Sequence, residues 1–492
     1  MIKKFWITII GALSLITTFA PLSASAMMHE DVFLAHTDHE LHVYRISGDQ
    51  PGKTMMIIGG IQGDEPSGYI TADIYADIHL KKGNLIVVPR ANFYSILLNR
   101  RNGETGDMNR KFSPKPGQKA YHLEEEVVAI LKHLIAESDC LLNLHEGSGF
   151  FNPKWMNNME NPNRFGQSVI FDAEAYKPPY GKTTIHLGDI ANRVIKVVNT
   201  QIKNPRYKFK ANNHDTLSPT THHREQRESA TFYALTRAQI PAFGIETSKS
   251  IKNLKDKTRL HKLVINAMLQ EFGIINDSPG IKTEPAALSY LILKVNNNQP
   301  YAMRNNDVLN LNIGDNVVVT DIIANYKRGL VADVENIGTS NDTNIPFRFS
   351  GNANILIRKD SRIIGRVSLM KNKRTPERKE IPLANLTADS LLVDVNGKFI
   401  VVPNNQTIKM KYNGRIIIHS IRTNIAKLDN NISVNLKGFA PPKVNNGNDL
   451  LYPIYTDHDL MPRFSVHHQG KRYPIIAYYQ QKTIGKFWLE LP

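Results

Sequence analysis

Apolar residues in the first half of the chain come in short, nearly unbroken runs. Met55–Ile58, Leu85–Val88, Cys140–Leu144, Val169–Phe171 and Ala242–Ile245 are largely aliphatic or β-branched. Strands covered on both faces read this way, because neither face needs a polar partner for water. Between the runs the period changes to that of a helix. Over Tyr121–Ser138, residues Leu123, Val127, Val128, Ile130, Leu131, Leu134 and Ile135 fall on one broad stripe, and Thr258–Phe272 repeats the pattern. Strand and helix in alternation predict an α/β domain with a mixed central sheet, spanning 27–277.

Past Asp277-Ser278-Pro279-Gly280, a turn and linker, the helical stripes nearly vanish. Leu309, Leu311 and Ile313 alternate with Asn310 and Asn312, and Gly314-Asp315 then leads into Val317–Val319. A charged break at Lys371–Lys379 carries Pro376. Beyond it, Leu391–Val395 and Lys398–Val402 flank Asn396-Gly397, which predicts a type I′ hairpin because both turn residues tolerate positive φ. Asn413-Gly414 is read as the same device. These patterns predict two small all-β, sandwich-like accessory domains, 278–376 and 377–492, with no evident sequence repeat between them.

Composition narrows the chemistry. With 41% hydrophobic and 22% charged residues, the 492-residue chain is neither disordered nor collagen-like. A single cysteine, Cys140, excludes an intramolecular disulfide and thiolate-rich metal sites, so a metal would have to sit on His, Asp, Glu or an amide oxygen. The formal net charge of +16 suits an anionic partner. The N-terminus indicates which kind. Lys3 and Lys4 precede an apolar run from Phe5 to Ala20, then Pro21 and the small-x-small triplet Ala24-Ser25-Ala26. This is the order of a secretory signal peptide over 1–26. No later run is long enough to span a bilayer. The expectation is a periplasmic mature chain without a transmembrane segment, with a cell-envelope polymer rather than nucleic acid as partner. Oligomeric state is not encoded in these patterns.

Candidate chemistry lies where the buried runs end. Met55–Gly60 leads into Ile61-Gln62-Gly63-Asp64-Glu65-Pro66, so Gln62 and Glu65 stand at a strand-to-helix corner. Ligands of open α/β sheets bind outside the carboxyl ends of strands. Cys140–Leu144 ends in His145, and Ala242–Ile245 ends in Glu246. Gln62, Glu65 and His145 together offer two oxygens and a nitrogen, the open geometry of a catalytic zinc when water fills the fourth position. Glu246 reads either as a strand-end cap or as a general base beside the metal. Between these corners Arg100, Arg101, Arg110 and Lys111 crowd a turn-rich stretch with Asn109. That stretch is an exposed basic loop or a carboxylate clamp, since guanidinium forks match carboxylates. His214, His222 and His223 lie in a polar segment and read as surface histidines.

In order and placement these residues resemble the funnelin zinc metallocarboxypeptidases. The family's His-x-x-Glu corner corresponds to Gln62-Gly63-Asp64-Glu65, its Asn-Arg pair to Asn109-Arg110, its later histidine to His145 and its late glutamate to Glu246. Gly-Asp-Met-Asn-Arg-Lys-Phe, 106–112, is the most specific match. Glutamine in place of the first histidine, the signal peptide and the two β domains are most similar to the periplasmic cell-shape-determining carboxypeptidases of helical and curved Gram-negative bacteria. The resemblance implies a Zn²⁺ cofactor on Gln62, Glu65 and His145, Glu246 as the base, and Arg101 as oxyanion stabiliser. It implies substrate binding by Asn109 and Arg110, with Arg100 the alternative arginine. It also implies trimming of the peptidoglycan stem tripeptide L-Ala-γ-D-Glu-meso-diaminopimelate to a dipeptide. The alternatives are an N-acyl amino acid deacylase of the succinylglutamate desuccinylase and aspartoacylase type, and a non-catalytic wall-binding protein.

Overall fold

A computed structural model describes residues 27–113, 122–179, 183–297, 300–372, 385–424, 429, 431–441, 446–480 and 482–492. The signal peptide expected at 1–26 and most of the charged break around Pro376 lie outside the described residues.

The first body is built on one nine-stranded mixed sheet. In chain order its elements are β1 (Met27–Phe33), β2 (Leu41–Ser47), β3 (Gln50–Gly59), α1 (Pro66–Tyr75), β4 (Leu80–Val88), α2 (Leu123–Ala136) and β5 (Cys140–Gly147). Then follow β6 (Ser168–Phe171), α3 (Leu187–Thr200), β7 (Lys210–Asn213), β8 (Ala242–Ser248), α4 (Leu254–Glu271) and β9 (Ile275–Asn276). The strand order is β1-β2-β4-β3-β5-β8-β6-β7, with β9 on β4. The central four, β4, β3, β5 and β8, run parallel. They are the predicted apolar runs, and the alternation of strand side chains sorts them into two cores. Met55, Ile57, Leu142 and Phe243 pack against α1, α3 and α4. Met56, Ile58, Ile86 and Leu141 pack against α2. Helix α4 begins four residues before the periodic stretch suggests, because the Asn253 side chain accepts a hydrogen bond from the Lys255 N–H and caps it.

The remaining elements are strands. The first β module contains β10 (Leu288–Val295), β11 (Tyr301–Met303), β12 (Val308–Leu311), β13 (Asn316–Ala324), β14 (Leu330–Val334), β15 (Phe347–Arg348), β16 (Ala353–Lys359) and β17 (Arg362–Lys371). The second contains β18 (Ala388–Val395), β19 (Lys398–Pro403), β20 (Thr407–Lys409), β21 (Arg415–Thr423), β22 (Ser433–Leu436), β23 (Ile454–Tyr455), β24 (Arg472–Tyr479) and β25 (Lys482–Glu490). Each module is two four-stranded sheets closed over its own core.

Their topologies are identical. The orders β11-β10-β13-β15 and β12-β17-β16-β14 recur strand for strand as β19-β18-β21-β23 and β20-β25-β24-β22. Both contain one parallel pair, β12 with β17 and β20 with β25. The register irregularities of β10 against β13 recur in β18 against β21. Asn305 Oδ1 accepts from the Arg366 N–H, as Asn404 Oδ1 does from Lys486. Asn325 Oδ1 accepts from Ala287, as Asn424 Oδ1 does from Thr387. The modules are a structural duplication, which the sequence reading did not find. Asn396 (φ 53°) and Gly397 (φ 87°) form the predicted hairpin turn. Asn413-Gly414 is not the same device: only Asn413 has positive φ, and the strands on either side belong to different sheets.

The bodies are joined through charge. The Arg90 guanidinium donates to Asp73 at 2.7 Å and to Asp360 of the first module at 2.6 Å, with all three groups largely buried. Arg422 of the second module pairs with Asp307 of the first at 2.7 Å.

Candidate active site

Three parallel strands deliver the site. β3 runs out at Gly59, and the chain turns through Gly60 (φ 65°) to place Gln62 and Glu65 before α1. Close packing enforces the turn, since a Cβ on Gly63 would lie 2.2 Å from the Ser95 carbonyl. β5 and β8 are neighbours whose register pairs His145 directly with Glu246. The apolar interior of these strands therefore ends, at one edge of the sheet, in a polar cluster: the buried Gln62, Glu65, Asn109 and His145, with the half-buried Glu246.

That cluster lines a cavity of about 250 Å³ together with Arg101, Arg110, Asn143, Gln226, Thr231 and Lys249. Glu65 Oε2 is 2.9 Å from His145 Nδ1 and accepts from the Glu146 N–H at 3.0 Å. Burial depresses the His145 pKa, but Glu65 and Glu246 outweigh it and the net shift is upward. Glu246 Oε2 is buried without a hydrogen-bond partner. Burial pushes the Glu246 carboxyl up to about 7, and Glu65 adds to the rise while His145 and Arg101 oppose it. A carboxyl of this kind is poised near neutrality for proton transfer. A larger cavity, about 410 Å³, lies between the first body and the β modules, lined among others by Tyr44, Arg90, Arg328 and Lys398. Its buried charges are already paired with one another, as Arg90 is with Asp360. It is a seam, and the chemistry resides in the smaller crevice.

The loop 100–112 sits on Glu124, at the start of α2. Glu124 is fully buried and accepts from the Thr105 N–H at 2.8 Å, from Asn92 at 3.2 Å and from Lys111 at 3.1 Å. Asn109 Oδ1 accepts from the Ala230 N–H at 3.1 Å, leaving its Nδ2 for other partners. Arg110 lines the cavity, and its guanidinium donates to the Asn109 carbonyl at 3.0 Å. Arg101 lies 3.0 Å from Asp107 and 3.5 Å from Glu65. Arg100 is not part of this grouping. Its guanidinium donates to the Asn102 and Gly103 carbonyls and covers the Tyr94 ring at 5.1 Å, so the turn itself consumes it.

Sequence reasoning missed Asp107. Its carboxylate accepts from Gln62 Nε2 at 3.0 Å through both oxygens and from the Asn109 N–H at 3.0 Å. Burial raises the Asp107 pKa, but Gln62, Arg101 and Arg110 outweigh this and hold the group charged. The signal was available in the 106–112 run, where an aspartate two residues before Asn109 is a natural cap for the turn that follows. Lys249 was missed as well. It pairs with Asp64 at 2.8 Å and stands 3.7 Å from Glu65. The reading of His214 needs correction. It is buried and stacked on His223 with ring centroids 4.0 Å apart, because the polar segment folds back over β6 and β7, while His222 is exposed as expected.

Among the described residues no group of three or more His, Cys, Asp and Glu is arranged to hold a metal ion. The donor set found here has two such residues and an amide. Asp107 holds the Gln62 amide nitrogen with both of its oxygens, which leaves Gln62 Oε1 as the free end, and Glu246, with one buried and unpartnered oxygen, lines the same cavity. One neutral oxygen, one carboxylate and one imidazole fit a divalent zinc site with an open position.

A buried crevice at the carboxyl edge of parallel strands, with acid, histidine and arginine, defines an α/β hydrolytic enzyme. Residues 3–292 match the profile of the carboxypeptidases controlling helical cell shape, catalytic region, and the chain belongs to that family. It is a carboxypeptidase, which decides against the deacylase and pure-binder alternatives. Among solved structures, the mDAP-bound form of Helicobacter pylori Csd4, a D,L-carboxypeptidase, is 23% identical, with a TM-score of 0.51 over 90% of this chain and 97% of that one. Tripeptide-bound Csd4 of the same organism is 22% identical, with a TM-score of 0.51 over 95% and 100%. At this identity the likeness concerns the fold. No curated protein matches the chain. Among the described residues no helix is long and apolar enough to cross a membrane.

Proposed function

We propose that this chain is a zinc-dependent periplasmic carboxypeptidase that converts the peptidoglycan stem tripeptide L-Ala-γ-D-Glu-meso-diaminopimelate to the dipeptide, releases diaminopimelate, and so acts on cell shape. Residues 1–26 are the export signal, 27–277 the catalytic unit, and 278–376 and 377–492 the accessory domains. The observation that carries the reading is Glu246, a half-buried carboxyl with one buried, unpartnered oxygen, lining the same cavity as Gln62, Glu65, His145, Asn109 and Arg110. The tripeptide-bound and mDAP-bound Csd4 structures support the choice of substrate, as does the basic charge of the chain.

Gln62, through Oε1, Glu65 and His145 are the residues that would hold the zinc. When bound, zinc supplies Lewis acidity toward the scissile carbonyl and the attacking water. The Glu246 carboxylate accepts a proton from that water and returns it to the leaving amine. Arg101 donates to the carbonyl oxygen as negative charge develops there, a contribution of about 3 kcal/mol for a well-placed donor. Arg110 and Asn109 Nδ2 bind the free terminal carboxylate and fix the register of an exopeptidase. Asp107 holds the Gln62 amide oxygen-forward and orients Arg101. Mass spectrometry of muropeptides before and after incubation tests the reaction. Tripeptide should disappear as dipeptide and free diaminopimelate accumulate in equal amounts; unchanged tripeptide would overturn it.

A further inference from the structure

The duplicated β modules give an internal control, because each outward position of one has a counterpart in the other. In the second module, the sheet β20-β25-β24-β22 turns Tyr473, Ile475, Phe487 and Leu489 inward to its core. The alternate residues face out. Across β24 and β25 the register pairs Arg472 with Glu490, Pro474 with Trp488 and Ile476 with Lys486. Lys409 lies beside Glu490 on β20. On this face the Arg472 guanidinium and the Lys486 ammonium each stand 4.2 Å from the centre of the Trp488 ring. Lys437 stands 5.4 Å from Tyr478.

In the first module the positions equivalent to Trp488 and Pro474 are Ser368 and Asn354, which satisfy each other by a 2.8 Å hydrogen bond. Arg472 corresponds to Asn352. One copy thus closes the centre of this face with neutral polar groups and keeps a single cation there, Arg366 at the position of Lys486, while the other sets two cations around an indole. Ion pairing does not explain the difference: among the described residues no carboxylate lies within ion-pair distance of Arg472, Lys486, Lys409 or Lys437, although Glu490 is directly opposite Arg472. The opposite sheet of the same module carries the contact with its neighbour, through Ser420 and Arg422 to Pro300, Ala302 and Asp307. The Trp488 face is therefore directed away from the rest of the molecule.

We infer that this outer face docks macromolecular peptidoglycan through the carboxylates of its stem peptides. A guanidinium stacked on an aromatic ring keeps its in-plane N–H fork free, and that fork matches a carboxylate. Four unpaired cations against one acidic group complement a polymer that repeats carboxylates at short intervals. The inference rests on the reaction proposed above for its choice of polymer. It adds that substrate is gripped at a second place, far from the crevice, raising the effective concentration of neighbouring stems.

The test uses the full chain, an Arg472→Glu/Lys486→Glu double variant, and a milder Arg472→Gln/Lys486→Gln variant that adds no charge to the sheet. Co-sedimentation with purified sacculi should fall at least about 5-fold in the first and by less in the second, and release of diaminopimelate from sacculi should fall about 10-fold. Turnover of soluble tripeptide should stay within about twofold of the parent, since the crevice is untouched. Equal sedimentation of parent and both variants overturns the docking face. So does equal sedimentation combined with lost binding to vesicles containing anionic phospholipid, which would assign the face to a lipid surface. Failure of the parent to cut soluble tripeptide would overturn the reaction instead, while sedimentation would still judge the docking.

Discussion

At the scale of single residues the site depends on side chains whose work is to aim others. Gln62 can present either its oxygen or its nitrogen, and only Asp107 decides which. On the proposed zinc site, Asp107→Ala should lower metal affinity about 10–100-fold, the range for loss of a partner that orients a ligand. Adding Gln62→His should restore retention, because an imidazole nitrogen is a stronger donor than an amide oxygen; metal content after dialysis against a weak chelator reads both. Glu246→Gln should reduce turnover about 10³-fold while metal content is unchanged. Residual activity above a tenth of the parent would exclude Glu246 as the proton carrier. Much of this was legible in the sequence. His145 and Glu246 follow directly on largely apolar runs, and a strand buried on both faces shows most of its polar groups at its end. The choice between Arg100 and Arg101 was not legible, since two adjacent arginines on a turn differ only in what the turn's own carbonyls capture.

At the scale of elements, the segment following β7 folds His214 inward, stacked on His223. His214 Nε2 accepts from the Asn212 amide at 3.1 Å, and its Nδ1 has no partner. Burial, with His223 and Arg110 adding to it, depresses the His214 pKa to about 3 from 6.5. The sign follows from that direction: the folded state keeps the ring neutral, while the unfolded chain takes up a proton below about 6.5. Stability is therefore lost as pH falls below that value, continuing toward 3. The slope approaches about 1.4 kcal/mol per pH unit for this one group. In urea unfolding at pH 7 and pH 5, His214→Gln should lose less stability on acidification than the parent. An identical loss in both would show that His214 is not the group responsible. Nothing in the sequence marks this burial, because a run of Asn, His, Thr and Ser gives no apolar period to read. The same limit hid the duplication of the β modules. The copies share asparagine hydrogen bonding, register shifts and the places of their core residues, but those places are filled in part by different apolar residues, as Val367 is matched by Phe487 and Ile357 by Ala477.

At the scale of the whole molecule, the catalytic body and the first β module meet through buried charge. Arg90→Ala would leave Asp73 and Asp360 without their common cation, beside Lys359. Breaking a buried pair from one side typically costs about 3–5 kcal/mol. Arg90→Met with Asp360→Leu should recover part of that loss, because no charge is then stranded between the bodies. Thermal unfolding of the two variants is the measurement, and a harmless Arg90→Ala would show the contact to be incidental.

The joints between the bodies have a consequence for how the enzyme would work on a wall. Arg90 with Asp360, and Arg422 with Asp307, fasten three bodies in series, and the indole-bearing face lies on the last of them. These joints restrain the span from that face to the crevice, as on a pair of dividers set to one opening. An enzyme holding the mesh with one point and clipping with the other would work through stems at a constant radius from its foothold, moving on only when it lets go, so shortened peptides would gather in patches.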